Sequence, residues 1–460
     1  MDIQPYRVAM VAACPFPANH GSPASIREMS QMLAAMGHEV HIVTYPNRQD
    51  IPVNGVQIHR VARLGSAKKV RVGPFWQRPI WDLLMILKLC RVIRRHRIQI
   101  VHAHNYEGAL VGYAARLFTG APVLYNAVNL MGDELAGYGF IRPRILAAWL
   151  AHLLDHWVPA WADFVTMVSD KLKPVLRKTG FPEDRMFVVP AGVNPEMVRG
   201  GDPSWFKKRF RTGSRPVVIY TGTLNHFQRI DYLLKAMKTV TAQEPVAVLA
   251  ICPNLHEPEL RRGHEAMVSE LGISEQVIWV EDVMLDDLPH LLASADVAVL
   301  CRPASPGHPV KLLNYMAAGN AIVAFEGSAI GLHHMFNGYL AADHDWEELA
   351  QGILTLIKDR SLADRLGANA SVSVEGVFDW STLARGISVI YDKILHDTAN
   401  PAAPSDPAPV YRHLKRGYQP VTAERRTRSA RISFPDRRGA TRRTRNSRIA
   451  FLDRRKYHYR

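Results

Sequence analysis

Short runs of consecutive apolar residues alternate along this chain with longer stretches in which apolar residues recur every three or four positions. The first pattern reads as fully buried strands and the second as helices lying over them. Strict alternation of the two argues for parallel sheets built from βαβ units. In the first half the strand candidates are Val8–Ala13, Val40–Tyr45, Val56–Val61, Ile98–His104, Val123–Val128 and Phe164–Val168. The second half offers Val217–Gly222, Val246–Ile251, Val277–Glu281, Val297–Cys301 and Ala321–Phe325. Between the two series, Pro190–Pro203 (PAGVNPEMVRGGDP) is rich in Pro and Gly and reads as a linker. The pattern therefore predicts an α/β protein of two doubly wound domains, residues 1–195 and 204–378, with a cleft between them. An amphipathic helix within 379–396 (DWSTLARGISVIYDKIL) closes the body, and 397–460 opens on a Pro/Ala linker, NPAAPSDPAP. In open sheets of this kind ligands sit beyond the carboxyl ends of the strands, so chemistry is expected in the loops there.

Composition changes this picture mainly at the tail. The 460 residues are 47% apolar and 22% charged, ordinary values for a globular protein. The net charge is +15, yet Tyr411–Arg460 alone holds 17 Lys+Arg against three acids, Glu424, Asp436 and Asp453. The other 410 residues hold 40 basic and 39 acidic groups, so the body is nearly neutral. An arginine-rich tail with so little apolar content has too little core to order alone. It suits an anionic membrane surface, whereas nucleic acid is disfavoured because aromatics for base stacking are sparse there. The cysteines (Cys14, Cys90, Cys252, Cys301) are far apart and form no ligand spacing, which points to reduced, buried thiols. The most apolar stretch, Ile145–Val168, is interrupted by His152, Asp155, His156 and Asp163, and reads as a buried helix followed by a strand. Met1–Arg7 runs almost directly into the first apolar run, without a leader pattern. These readings predict a cytoplasmic protein, peripheral on the inner membrane face.

Five stretches, in order, carry a family resemblance. They are PFPANHGSPASIREMSQMLAAMGHEVHIVT, IVHAHNYEGAL, SDKLKPVLRKTGFPEDRMFVVPAGVNPE, VIYTGTLNHFQRIDYLLKA and SADVAVLCRPASPGHPVKLLNYMAAGNAIVA. Across roughly Arg7–Leu395 the chain resembles glycosyltransferase family 4. The resemblance implies the GT-B architecture, two Rossmann-like domains with a nucleotide-sugar donor held mainly by the second. It also implies a glycan or lipid-linked acceptor on the first domain, retention of anomeric configuration, and no obligatory metal or other cofactor. The closing helix would cross back to the first domain. Donor-binding residues by this resemblance are Gly222, Arg229, Gly307, Lys311 and Asn314; acceptor-side residues are Gly21, His102, His104, Glu107 and Asn129. No catalytic residue is assigned. The residues themselves are compatible with a diphosphate site. Gly307 permits close approach, Pro309 starts a helix whose free amides favour an anion, and Lys311 adds a charge.

The chain also departs from the family pattern. Two glutamates commonly stand eight positions apart where this sequence has Pro306 and Asn314. Asn314 still offers an oxygen to a ribose hydroxyl, at a cost of about one decade of affinity. An Arg and a Lys usually flank the donor diphosphate where Thr223 and Gln228 stand here, a loss on the order of 3 kcal/mol or more. Arg229 and His226 are close enough in sequence to substitute. Val128 replaces a histidine near the sugar, with Asn126 and Asn129 beside it, and His20 replaces the first of two loop glycines, leaving Gly21.

Two hypotheses follow: a hexosyltransferase of cell-envelope polysaccharide or glycolipid synthesis, or a catalytically degenerate GT-B module that binds a sugar, nucleotide or partner. His102 and His104, two apart on a strand, share one face and form half a metal site with no third ligand evident. Ile80–Arg97 has an apolar stripe and a basic end, suited either to an anionic membrane or to covering the core. No GxSxG, Walker A or HExxH motif is present, which disfavours common hydrolases and NTPases.

Overall fold

In the computed structural model the described residues are 4–18, 21–46, 51–63, 78–128, 131–134, 144–254, 257–281, 283, 285–304, 309–400 and 406. His20, Asn129, Pro306, Gly307 and the basic stretch 411–460 lie outside them. The first half runs β1 (Arg7–Ala12), α1 (Gly21–Ala35), β2 (Glu39–Thr44), β3 (Val56–Arg60), α2 (Arg78–His96), β4 (Ile100–His104) and α3 (Asn105–Thr119). It continues β5 (Val123–Ala127), α4 (Met131–Glu134), α5 (Arg144–Ala160), β6 (Phe164–Met167), α6 (Lys173–Lys178) and β7 (Met186–Val188). The second half runs α7 (Trp205–Arg209), β8 (Val217–Gly222), α8 (Ile230–Gln243), β9 (Val248–Pro253), α9 (Pro258–Leu271), β10 (Val277–Trp279) and α10 (Leu288–Ala293). It ends β11 (Val297–Leu300), α11 (Val310–Ala317), β12 (Ile322–Phe325), β13 (Tyr339–Ala341), α12 (Trp346–Lys358), α13 (Arg360–Val374) and α14 (Trp380–Ala399).

Two parallel sheets result, ordered β3-β2-β1-β4-β5-β6-β7 and β10-β9-β8-β11-β12-β13. Each order reverses once, between β1 and β4 and between β8 and β11. At such a reversal the connections leave on opposite faces, which opens a crevice beyond the carboxyl ends. All eleven strands expected from the apolar runs are present. β4 starts at Ile100 instead of Ile98 because Arg97 turns left-handed (φ 50°) and the Ile98 amide still bonds back to Ile93 O, closing α2. β7 and β13, three residues each, are too short to show a periodic pattern.

Both faces of the first sheet are covered, which explains its continuous apolar strands. On β4, Val101 and Ala103 pack with Met85, Leu89 and Ala109, while Ile100 packs with Ile26, Leu33 and Ile387 on the other face. α3 lies close on β1, since a Cβ at Gly108 would stand 2.9 Å from the Val11 carbonyl oxygen.

The last helix, α14, is capped by Asp379, which accepts from the Thr382 amide at 2.9 Å. It lies on the first sheet although it follows the second in the chain. His38 Nε2 meets Ser388 Oγ at 2.8 Å, His102 Nδ1 meets the Tyr391 hydroxyl at 2.8 Å, and Trp380 Nε1 donates to Glu28 Oε2 at 2.8 Å. The Tyr6 hydroxyl donates to Asp392. Towards its end Lys393 Nζ and Asp397 Oδ2, one turn apart, form a buried ion pair at 2.7 Å. No described helix is long and apolar enough to cross a membrane.

Candidate functional site

The crevice of the second sheet lies where β8 ends at Gly222 and β11 leads into Cys301 and Arg302. α11 begins at Val310, with Pro309 extended immediately before it (φ −74°, ψ 100°). Lys311 is the second helical residue, and its side chain runs to the end of β8. Its Nζ donates to the Tyr220 hydroxyl at 2.8 Å and to Gln228 Oε1 at 2.9 Å, and lies 4.0 Å from the centre of the Tyr220 ring. Gly222 makes room for it: a Cβ there would meet Nζ at 2.6 Å, and its φ of +128° is one that L side chains rarely adopt. Burial pushes the Lys311 ammonium down to about 7; the Cys301 thiol opposes that fall and Arg302 adds to it. Burial also pushes Cys301 up to about 12, so it stays a thiol.

Neighbouring side chains are neutral or already engaged. Gln228 is buried, its Oε1 taken by Lys311 and its backbone carbonyl oxygen accepting from Cys301 Sγ at 3.2 Å. Thr223 Oγ1 donates to Asn225 Oδ1 at 2.9 Å. Arg229 sits left-handed (φ 54°) at the head of α8, its guanidinium donating to both Asp231 oxygens at 2.9 and 2.8 Å and lying 3.7 Å over the Tyr232 ring. Asn314, almost one turn beyond Lys311, is half-buried, and its side chain has no hydrogen-bond partner among the described residues. Asp343 braces the loop after β11, accepting from the Ala304 amide at 2.8 Å and the Gly327 amide at 2.9 Å.

The crevice of the first sheet is lined differently. Glu107, in the first turn of α3, pairs with Arg78 at 2.6 Å. The Tyr45 hydroxyl, just past β2, donates to Asp82 Oδ1 at 2.7 Å. Burial raises the Asp82 carboxyl to about 6, against the Tyr45 hydrogen bond and with help from Glu107. Gly21 is exposed as the first residue of α1, left-handed, with open space where a Cβ would stand.

His102 and His104 are both fully buried, their rings stacked at 4.4 Å. His102 faces Tyr391 beneath α14. His104 Nδ1 meets the Asn126 side-chain nitrogen at 3.1 Å, and Asn126 Oδ1 in turn accepts from Thr166 at 3.2 Å. Burial holds both rings neutral, pushing His104 down to about 3, and neither Nε2 has a partner among the described residues. Val128 is half-buried against the apolar core of the first sheet.

Folding thus brings Gly222 and Lys311 together, keeps Asn314 three residues further along the same helix, sets Arg229 at the head of the next helix, and places Glu107 in the first turn of α3. Tyr220, Arg78, Tyr45 and Asp82 escaped the sequence reading. Only Asp82 left a signal, as a lone acid beside the buried stripe Trp81, Met85, Leu89.

Two parallel sheets with crevices at their reversal points, and a last helix returned to the first sheet, define the GT-B architecture. The chain belongs to glycosyltransferase family 4: the model for Glycosyltransferase Family 4 matches residues 20–197 and that for Glycosyl transferases group 1 matches 202–372. It is 23% identical over 394 residues to the N-acetyl-alpha-D-glucosaminyl L-malate synthase of Bacillus anthracis, covering 84% of this chain and 97% of that one. It is 23% identical over 395 residues to the D-inositol 3-phosphate glycosyltransferase of Frankia alni, covering 81% and 94%. Among solved structures, sucrose-phosphate synthase of Thermosynechococcus elongatus superposes with a TM-score of 0.70 at 19% identity, covering 85% of this chain and 99% of that one. Anabaena HepE in complex with UDP-glucose superposes with a TM-score of 0.67 at 16% identity, covering 84% and 99%. The class of reaction is glycosyl transfer.

Proposed function

We propose that this chain moves a hexose, with retention of configuration and without a metal, from a nucleoside diphosphate sugar to a hydroxyl acceptor carried by a lipid or glycan in cell-envelope synthesis. The observation that carries this reading is the Lys311 ammonium, held by Tyr220 and Gln228 against a glycine at a strand end. A diphosphate arriving there meets that cation, the free amides of α11 and a backbone stripped of Cβ. As the bond from sugar to phosphate breaks, negative charge grows on the leaving diphosphate, and fixed donors stabilise it most at that moment. Asn314 is free to accept a ribose hydroxyl, and Asp82 and Glu107 offer oxygens to the acceptor.

The two titrating groups set a pH dependence. Asp82 is ionised above about 6 and Lys311 is charged below about 7. The kcat/KM profile is expected to fall on both sides of that window, with the acid limb missing in Asp82→Asn. A profile flat from about pH 5 to 9 would remove both roles.

A membrane setting for the acceptor is supported by exposed apolar side chains. Ile145, Trp149 and Trp157 stand out along α5, followed by Trp161 just past its end, with exposures of 82, 60, 49 and 50%. On α2, Ile80, Leu83 and Leu87 are exposed beside Arg91, Arg94 and Arg95. Such faces insert at the headgroup boundary of anionic bilayers. A Trp149→Ser/Trp157→Ser/Trp161→Ser variant is expected to float with phosphatidylglycerol vesicles about tenfold less than the parent, and truncation after Pro409 to weaken flotation at low salt. Undiminished flotation of both variants would reject membrane docking.

The neutral side chains of Thr223, Gln228 and Asn314 favour a second reading, a GT-B binding module without turnover. Calorimetric titration with UDP- and GDP-sugars, followed by a donor hydrolysis assay, separates the two. Binding with turnover supports transfer, binding without it supports the module, and no binding to any nucleotide sugar rejects transfer.

A further inference from the structure

Three histidines meet at the β3 edge of the first sheet, two strands away from the β1–β4 reversal. His41 lies in the amino half of β2, His59 on the edge strand β3, and His96 ends α2 shortly before β4 begins. One ring nitrogen of each lies within 4.8 Å of one nitrogen of both others. His41 Nδ1 is 2.9 Å from His59 Nε2, and the His96 ring centre is 4.2 Å from that of His41 and 5.4 Å from that of His59. The His41–His59 contact is a hydrogen bond in its own right. His96 faces both rings without a hydrogen bond to either, so pairing of the other two does not account for the third.

We propose that His41, His59 and His96 form a binding site for a divalent transition metal of the zinc type, which ties the edge strand and α2 to β2. Three imidazoles are a donor set for zinc, copper or nickel and a poor one for magnesium or calcium. With metal–nitrogen bonds of about 2.0–2.1 Å, tetrahedral ligands stand about 3.3 Å apart. The closest pair is already near that spacing, and the rest closes by rotation of His96, a terminal helical residue. Glu39 Oε1 accepts from His41 Nε2 at 2.9 Å, which fixes the proton there and leaves the Nδ1 lone pair for a metal. A carboxylate behind a ligating imidazole is the usual support for such a site. His41 is fully buried and so held in place, while His59 and His96 are half-buried, leaving one side open for water as a fourth ligand. Lys88 and Arg95 act on His59 against a further positive charge, and the Glu39 carboxylate offsets part of it.

The test uses the full chain, free of any histidine tag and stripped with EDTA, titrated with zinc chloride by calorimetry and followed by thermal unfolding. The expected result is one zinc per chain at about micromolar Kd or tighter, and at hundredfold excess over Kd a Tm rise on the order of 5 °C. Cobalt substitution gives the visible absorption of a tetrahedral site. Glu39→Gln is expected to weaken binding about tenfold. His59→Gln/His96→Gln abolishes both zinc binding and the cobalt spectrum, with circular dichroism reporting that the fold is kept. No saturable zinc binding, or an unchanged affinity in the folded double variant, overturns the proposal.

Discussion

Lys311→Met is expected to raise the melting temperature of the free protein while weakening nucleotide-sugar binding by roughly ten- to a hundredfold. Removing a charged hydrogen-bond partner of the diphosphate costs about 1.5–3 kcal/mol, and the leaving group loses the same cation at the transition state. The free protein responds in the opposite sense, because burial disfavours the charged lysine. Its folded value of about 7 lies well below the roughly 10.4 of an unfolded lysine. Between those two values the unfolded chain binds more protons, so the stability of the parent rises with pH through that window. Below about pH 7 the penalty of the buried charge is fully present, and above about pH 10 it is gone. The methionine variant should therefore gain most near pH 6, on the order of 1 kcal/mol, and least near pH 10. A bound diphosphate favours the charged form and raises the lysine value, so donor binding takes up a proton and weakens as pH rises above about 7. Calorimetry in two buffers of different ionisation enthalpy measures that uptake. A variant that binds donor as tightly as the parent removes Lys311 from the site.

Asp397→Ala is expected to cost about 3 kcal/mol of stability, because it removes the carboxylate 2.7 Å from the buried Lys393 ammonium. In a body of this size that lowers Tm by about 4 °C. The double variant Lys393→Met/Asp397→Leu should recover most of the loss, since an apolar pair of similar volume needs no desolvation of charge. Because α14 also carries Tyr391 and Ser388 against His102 and His38, its loosening should reach the first sheet. Urea unfolding of the three proteins measures this, and a single variant within about 0.5 kcal/mol of the parent would show that water reaches the pair.

The fold was legible because each central strand is a continuous apolar run covered on both faces, a signal contained within a few neighbouring residues. The signal failed at β7 and β13, three residues each, although the equally short β10 was found within the apolar run that opens at Val277. The site was legible in part. Gly222 stands out as a glycine ending a strand and Lys311 as a cation opening a helix, but their contact joins β8 to α11 across intervening elements. Thr223 and Gln228 read from sequence as two lost cations. In the structure Gln228 receives the ammonium of Lys311, so one positive charge reaches that place from another element.

Along the chain, local pattern by itself determined eleven of the strands, the fold class and the family. Side-chain contacts at long separation decided the rest. His102 has the alternation of a strand residue on one face, and only the return of α14 made Tyr391 its partner. His41, His59 and His96 carry no motif spacing at all, and the pairing of β2 with β3 under the end of α2 brought them together. Periodicity reports which face a residue takes; what covers that face is set by packing between elements far apart in sequence.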